Sequence, residues 1–210
     1  MVSDINNIKF NNMEYDVLRE IGNIGAGNAT TALSQMINSK VSMKVPTVEL
    51  LEFKEISDTV GGAERIVVGI LFTLGGDIDG MMMFVMDKVA SMRLVNILLG
   101  SIQASDNDDN ADFSEMGLSA LNEIGNIISG AYLSSLSSLT NLTITTSIPY
   151  MAIDMAGAIL SVPAIEFGKI GDKALLIETE FGESDLSVNG YFILIPSLNS
   201  YMAILKSLGL

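Results

Sequence analysis

A short motif that combines an acid with an amide occurs twice in this chain of 210 residues. The motif Glu-Ile-Gly-Asn-Ile contains Glu20 and Asn23 in its first copy and Glu123 and Asn126 in its second. A carboxylate can pair with a cation, and an amide both donates and accepts hydrogen bonds. Each pair could therefore bind a partner's cation and orient a water molecule for attack, which is catalysis by positioning.

Further residues recur in the same register around each motif. A small polar residue stands four positions before each Glu, a glycine stands four positions after each Asn, and twenty-two residues separate each Asn from a proline. These accompanying residues are Asp16, Gly27 and Pro46 in the first copy and Ser119, Gly130 and Pro149 in the second. Because the chain has only four prolines, the match of two of them indicates an internal duplication.

Helical periodicity places the polar positions of each copy on one face. At 3.6 residues per turn, Asp16, Glu20, Asn23 and Gly27 fall within a narrow arc, and so do their counterparts in the second copy. We expect the apolar residues on the opposite sides to face a core. They are Leu18, Ile21, Ala29, Ala32 and Met36 in the first helix and Ile124, Ile128, Ala131 and Leu139, or their neighbours, in the second.

A merely solvated face is the alternative interpretation of each polar stripe, because amphipathic helices usually carry polar residues outside. Asn and Gly, however, are each roughly 0.5–1 kcal/mol poorer helix formers than Ala. Lys, Gln or Glu would form a solvated face at lower cost. Since the unfavourable choice recurs at matching positions, we interpret both stripes as surfaces presented to another molecule.

Composition argues against several kinds of site. The chain has no cysteine and no histidine, so it lacks disulfides, the commonest zinc ligand and the usual general base. A net charge of −14 argues against binding to nucleic acids and anionic membranes. No apolar run reaches the ~18 residues that span a bilayer, and no secretory signal is evident at the amino terminus. We therefore expect a cytoplasmic protein.

Charge is also unevenly distributed along the chain. No basic residue stands between Arg93 and Lys169, and Glu123 lies in the middle of this gap. We therefore expect the cation that pairs with Glu123 to come from another molecule.

Two other patterns have simpler interpretations than a ligand site. Glycines 22, 25 and 27 resemble a phosphate-binding loop, but no strand precedes them and no lysine follows. The acidic run 106–110 has calcium-loop spacing, yet Ala111 and Gly117 stand where that loop requires glycine and glutamate. We expect a flexible acidic linker there and no metal site in this chain. The thirteen methionines are expected mainly to fill the core.

The order of predicted elements also repeats. The first copy predicts a helix from about Asn11 to Asn38 and a strand over 41–45, and residues 48–53 either continue this strand or begin a connection. A hairpin over 65–86 that turns at 75–77 and a helix over 87–99 follow. The second predicts a capping box of Asp112 with Glu115, a helix to about Leu139, a strand over 142–148, a short helix or turn over 152–160, a hairpin over 174–195 and a helix over 197–208.

These patterns predict an α/β chain of the α+β type, with an antiparallel sheet flanked by helices. We expect a single domain over residues 1–210. It would contain a helix, strand, hairpin and helix unit over about 12–100, a linker over 101–112, and a second such unit over 113–210. An approximate two-fold axis would relate the units and display the two polar stripes as similar surface sites.

The doubled pattern Asp/Ser-x-x-x-Glu-x-x-Asn with its later proline resembles the signature of the CheC/CheX/FliY family of chemotaxis phosphatases, over nearly the full chain. The resemblance implies an enzyme that removes the phosphoryl group from the aspartyl-phosphate of the response regulator CheY. It implies that Glu20 and Glu123 pair with the active-site lysine of the receiver, and that Asn23 and Asn126 align the attacking water. The Mg²⁺ of the reaction would belong to the receiver, and this chain would hold no cofactor.

The resemblance also implies binding to the receptor deamidase CheD through a contact near Asp154. Asp154 is the only charge in the segment 150–160, and a helix-start residue is the alternative interpretation. The alternative function is that of a non-catalytic adaptor that binds CheD or the flagellar switch. An enzyme acting on a small molecule is less favoured, because histidine and cysteine are absent.

Overall fold

The computed structural model describes residues 12–37, 42–43, 47–99, 112–167, 173–183 and 186–209. The helices of this part of the chain are α1 (Asn12–Ile37), α2 (Phe53–Thr59), α3 (Lys88–Leu98), α4 (Glu115–Thr140), α5 (Ala156–Phe167) and α6 (Leu198–Ser207). The strands are β1 (Ser42–Met43), β2 (Thr47–Glu52), β3 (Ile66–Gly76), β4 (Gly80–Asp87), β5 (Ile144–Thr146), β6 (Tyr150–Met155), β7 (Lys173–Glu183) and β8 (Leu186–Pro196). All described strand pairs are antiparallel, so the predicted fold class is confirmed.

The strands of the two halves interleave in one sheet. Its order is β1-β7-β8-β4-β3-β5, and β2 also pairs with β7 while β6 also pairs with β3. The short strands of the first half therefore lie against the hairpin of the second half, and those of the second half lie against the hairpin of the first. Neither half completes its own part of the sheet.

The middle of the sheet shows an approximate two-fold relation. In the central pair of strands, Phe84 of β4 lies opposite Phe192 of β8, with ring centroids 5.0 Å apart. The strand order is also unchanged when the two halves are exchanged, because β7 pairs with β1 and β2 just as β3 pairs with β5 and β6. An approximate two-fold axis between β4 and β8 therefore relates the two halves of the chain.

Each face of the sheet buries its own core. On one face, α1 and α4 pack Ile21 and Ile124 into a cluster that includes Ile70 of β3. On the other face, α2 and α5 contribute Ile56 and Ile159 to a second cluster. Alternate residues of β3 and β4 enter opposite cores, which explains why these strands are almost continuously apolar.

The start of α4 differs from the prediction. Ser114 has an extended backbone, and its side chain accepts a hydrogen bond from the Gly117 N–H at 3.1 Å. Ser114 is therefore the N-cap, and the predicted capping box of Asp112 with Glu115 is wrong by two residues. A serine oxygen one residue before the helix reaches the unpaired N–H groups of the first turn, which Asp112 is too far away to do. The predicted start of α1 at Asn11 lies outside the described residues.

The sequence interpretation also misassigned two short elements. Helix α2 was not predicted; a capping box between Glu52 and Glu55 begins it directly after β2. The helix or turn predicted over 152–160 begins only at Ala156, because residues 150–155 pair with β3 as strand β6. The repeated unit is therefore helix, two strands, helix, hairpin and helix.

The first hairpin lies where the sequence predicts it. Its two strands pair as far as Leu74 and Gly80, so residues 75–79 connect them and include the predicted turn 75–77. Gly75 and Gly76 still belong to β3, because they pair with β5. The acidic run 106–110 lies outside the described residues. Among the described helices, none is both long and apolar enough to cross a membrane.

Candidate functional site: two ridges on the long helices

Helices α1 and α4 display the two polar stripes on their outer sides. We name the stripe of α1 the first ridge and that of α4 the second ridge. The first ridge consists of Asp16, Glu20, Asn23 and Gly27, and the second of Ser119, Glu123, Asn126 and Gly130. All of these residues are exposed except Asn23, which is half-buried. The structure thus brings the predicted residues of each copy onto one accessible helix face.

The opposite sides of both helices enter the core, as the periodicity predicts. Leu18, Ile21, Ala29, Ile124 and Ile128 are buried. Ala32 and Ala131 are half-buried.

Met36 and Leu139 do not follow the prediction. Their side chains are 37% and 39% exposed. Both lie in the last turn of their long helix. The prediction is wrong for Met36 and for Leu139 itself, whereas the neighbouring Leu136 and Thr140 of α4 are buried.

The two ridge carboxylates are not engaged within the described parts of the chain. Neither Glu20 nor Glu123 forms a hydrogen bond or ion pair with another described residue. Each exposed carboxylate is therefore surrounded by solvent and accessible to a cation from a partner.

The first position of the ridge has a different local partner in each copy. Asp16 accepts a hydrogen bond from the Arg19 guanidinium at 3.0 Å in an exposed ion pair. Ser119 instead donates to the Glu115 carbonyl one turn earlier, also at 3.0 Å. The first ridge consequently has a cation beside its carboxylates, whereas α4 carries no basic residue.

The two amides also differ in their surroundings. Asn126 is exposed. The Oδ1 atom of Asn23 is buried and accepts no hydrogen bond from the part of the chain that the structure describes. A buried polar atom without a partner costs about 1–3 kcal/mol. The Asn23 amide would gain hydrogen bonds by moving outward, while the Asn126 amide is already accessible.

The ridge glycines have no packing role within the described structure. A Cβ atom built on Gly27 or on Gly130 would meet nothing within 4 Å. By contrast, a Cβ on Gly25 would lie 2.7 Å from Tyr132 Cδ1, and one on Gly125 would lie 2.5 Å from Ile70 Cδ1. Internal packing therefore explains Gly25 and Gly125, but it does not explain Gly27 and Gly130.

Close packing where α1 meets α4 holds the two ridges in place. Tyr132 contacts Gly25 on one side and stacks on Phe192 on the other, with ring centroids 4.1 Å apart. Burial raises the pKa of the Tyr132 hydroxyl, so it stays protonated. Asn28 Nδ2 donates to Ser135 Oγ at 3.0 Å between the helices. Sequence reasoning missed these contacts, although Gly25, directly after the first motif, was a signal of close helix packing.

Of the two motif prolines, the structure describes Pro149. Pro149 is half-buried and directly precedes β6. Pro46 lies outside the described residues.

Asp154 belongs to a separate surface on β6. It is exposed, it lies opposite Val67 of β3, and its Oδ1 accepts a hydrogen bond from the Met155 N–H at 2.7 Å. Its interpretation as a helix-start residue is wrong, because the strand continues past it. We name the exposed apolar side chains of residues 148–155 and of α5 the edge patch. They are Ile148, Tyr150, Ile153 and Met155 around β6, and Val162 and Ile165 on α5.

Possible metal ligands are dispersed. Within the described ranges, no group of three or more Asp, Glu, His or Cys side chains could hold a metal ion.

Comparison with known proteins identifies the family. A model of the CheC-like family matches residues 13–50 and 116–149, the two segments that contain the ridges. "CheY-P phosphatase CheC" of Bacillus subtilis is 35% identical over 210 residues, which cover 99% of each protein. This chain belongs to the CheC-like family. The resemblance inferred from the duplicated motif is thereby confirmed.

Solved structures share the fold of this CheC-like chain. FliY of Thermotoga maritima has a TM-score of 0.74 and 23% identity, covering 96% of this chain and 98% of its own. The FliM middle domain of H. pylori has a TM-score of 0.64 and 12% identity, covering 94% and 99%. At these identities the likeness establishes the architecture alone, so the activity must be argued from the ridges.

Proposed function

We propose that this protein is a phosphatase that hydrolyses the aspartyl-phosphate of the response regulator CheY. The observation that carries the proposal is the duplicated ridge, in which an unengaged carboxylate, an amide and a glycine without internal contacts succeed one another on one helix face. The full-length likeness to a relative named as a CheY-P phosphatase supports the same activity.

The carboxylates bind the receiver. Glu20 and Glu123 each pair with the lysine of a receiver active site. An ammonium bound to an exposed carboxylate contributes only about 0.2–1 kcal/mol, but the pairing fixes the register in which the helix docks. The neighbouring amide, one turn further along, then lies over the acidic pocket that carries the phosphoryl group.

The amides position the nucleophile. The side-chain carbonyl of Asn23 or Asn126 accepts a hydrogen bond from a water molecule and holds it in line with the bond between phosphorus and the aspartyl oxygen. The water oxygen forms a bond to phosphorus, the bond to the aspartyl oxygen breaks, and inorganic phosphate and a free aspartate result. The water proton passes to the phosphate product. Such catalysis depends on placement and electrostatics, which suits a ridge without a nucleophile or a strong base.

The glycines allow the close approach that this geometry needs. Gly27 and Gly130 lie one turn beyond the amides and leave the helix surface bare. Each costs about 1 kcal/mol of helix stability relative to alanine, and no packing contact of the described residues offsets that cost. The receiver's backbone occupies this space in the complex.

The metal and the location follow from the substrate. The Mg²⁺ that neutralises the phosphoryl oxygens is bound by the receiver, and this chain supplies no ligand to it. The enzyme acts in the cytoplasm, where the phosphorylated regulator is found.

Turnover counting tests the proposal. CheY charged with acetyl phosphate is mixed with the protein at one part in a hundred, and phosphate release is followed over time. Release of many phosphates per molecule of protein is expected. If decay of the phosphate is no faster than the spontaneous rate, the protein is not a phosphatase of CheY.

The edge patch favours a second function beside the first. Ile148 and Ile165 are 88% and 72% exposed, and an apolar surface of this kind usually marks a binding site for another protein. We infer that this patch, with Asp154 beside it, binds the deamidase CheD. An Ile165→Glu variant should lose CheD in a titration and keep its rate of phosphate release. Unchanged affinity for CheD would contradict this assignment, and a lost phosphatase rate would show that the two surfaces are not independent.

A further inference from the structure

Each ridge continues one turn towards the amino terminus of its helix and there carries a methionine. Met13 and Met116 are 103 positions apart, the same separation as Glu20 and Glu123. At 3.6 residues per turn, Met13 falls within the same arc of about 80° as Asp16, Asn23 and the rest of the first ridge. The duplicated surface thus has a thioether at one end and an amide and glycine at the other.

Both methionines are exposed to solvent. Met13 is 65% exposed and Met116 is 66% exposed. This departs from the expectation that methionines mainly fill the core, which Met82, Met83 and Met86 of β4 follow, with exposures of 2% or less. Core packing therefore does not explain why Met13 and Met116 are methionines. Helix propensity does not explain it either, because glutamate, lysine and glutamine form helices equally well.

The spacing along the ridge matches the size of a protein contact. Met13 lies ten residues before Asn23, which corresponds to about 15 Å along the helix axis. An interface that covers about 800 Å² on each partner extends roughly 16 Å from its centre. A receiver domain centred on the amide would therefore reach the methionine at the rim of the contact. Flexible, polarisable methionine side chains are well suited to such contacts.

We infer that Met13 and Met116 are binding residues for the phosphorylated receiver and that each contacts an apolar patch beside the receiver's active site. This inference rests on the proposed function. The continuity of the methionine with the carboxylate and amide, and its recurrence in both halves, identify the receiver as the occupant, because a contact unrelated to the ridge would have no reason to be duplicated with it. The methionines contribute affinity and do not touch the phosphoryl group.

The test replaces both methionines with glutamine, which keeps the length and helix propensity of the side chain and removes its apolar surface. For the M13Q/M116Q variant, KM for phosphorylated CheY should rise about tenfold, since burial of a methionine is lost, while kcat stays within twofold. The M13L/M116L variant should retain the wild-type KM. The matched control is Met202→Gln on α6, an exposed methionine that belongs to neither ridge, and it should leave KM unchanged.

A binding titration separates this inference from the proposed function. The probe is CheY with beryllium fluoride at its aspartate, a mimic of the phosphoryl group that is not hydrolysed. If the wild type binds this probe without releasing phosphate from acetyl-phosphate-charged CheY, the phosphatase proposal is wrong, and a roughly tenfold weaker Kd for M13Q/M116Q still supports the docking role. Equal affinities of M13Q/M116Q and wild type overturn the inference. Absence of binding by the wild type overturns both.

Discussion

The first and second ridges have the same motif but present it differently. In the second ridge, Glu123 and Asn126 are both exposed on a helix without basic residues. In the first, Arg19 lies beside Glu20 in the sequence and pairs with Asp16, and the Asn23 amide is half-buried with its oxygen enclosed. Duplication has preserved the residue types, and local packing has made the two copies unequal.

The difference shows that a motif determines which chemical groups are present, whereas the surrounding residues determine whether a substrate or a water molecule can reach them. A water molecule can reach Asn126 without any rearrangement. The oxygen of Asn23 must first leave its enclosed position. This movement is favoured, because the buried oxygen lacks a hydrogen bond and would gain one outside. The second ridge should therefore be the more active of the two sites in this chain.

The largest expected effect separates the two amides by activity. Asn126→Ala should lower kcat for phosphate release at least tenfold, because a group that positions the nucleophile is worth orders of magnitude at the site it serves. Asn23→Ala should lower it less than twofold. Initial rates at saturating phosphorylated CheY measure both variants. Equal losses would show that the enclosed amide is as available as the exposed one.

The second effect separates the same amides by stability. Asn23→Ala should increase the free energy of unfolding by roughly 1–2 kcal/mol, because a poor helix former and a buried unsatisfied oxygen are both removed. Asn126→Ala should add only about 0.5 kcal/mol, from helix propensity alone. Urea denaturation of both variants gives the values. A gain for Asn23→Ala no larger than for Asn126→Ala would contradict the enclosed state of the amide.

A third effect distinguishes the ridge glycines from the packing glycines. Gly130→Ala should increase stability by about 1 kcal/mol, since its Cβ meets nothing in the described structure, and it should lower kcat/KM because the methyl group enters the space of the receiver. Gly27→Ala should give the same gain in stability with a smaller loss of activity.

The control for this comparison is Gly125→Ala, whose Cβ would overlap Ile70. It should decrease stability by about 1–3 kcal/mol. Thermal unfolding with phosphate-release assays measures all three variants. Full activity of Gly130→Ala would mean that the receiver does not approach the ridge there.

The smallest effect concerns the turn of the first hairpin. Asp79 accepts hydrogen bonds from the hydroxyls of Ser197 and Ser200 at 2.6 and 2.5 Å, and these bonds lower the pKa of its carboxyl group. A lowered pKa means that the ionised Asp79 stabilises the fold above the unfolded value of about 3.9 and loses this effect as the pH falls through the folded value.

The stability difference between the wild type and Asp79→Asn should consequently be constant near neutral pH and shrink below about pH 4. Denaturation midpoints over this pH range measure it. A difference that does not change with pH would show that the charge of Asp79 has no role. The corresponding turn of the second hairpin, residues 184–185, lies outside the described residues.

The ridges could be predicted from the sequence because helical periodicity and duplication point to the same residues. Buried Ile21 and Ile124 and exposed Glu20 and Glu123 follow directly from 3.6 residues per turn. The exchange of short strands between halves could not be predicted, since β2 and β6 follow equivalent helices and either hairpin offers an apolar edge. Identical motifs likewise gave no indication that Asn23 would be enclosed.

Local competition between similar signals explains the remaining errors. Asp112 and Ser114 are both good capping residues, and only the position of the first helical turn decides between them. Residues 152–155 are apolar enough for a helix or a strand, and pairing with β3 decides for the strand. Both outcomes depend on tertiary contacts that a single sequence does not contain.

The rate of phosphate loss from CheY in the presence of the Asn23→Ala/Asn126→Ala double variant tests the central claim most directly. Asn199→Ala, an exposed asparagine on α6, is the matched control. The account predicts that the double variant leaves the spontaneous decay rate unchanged while Asn199→Ala accelerates decay as the wild type does. Undiminished acceleration by a folded double variant would contradict the assignment of the amides.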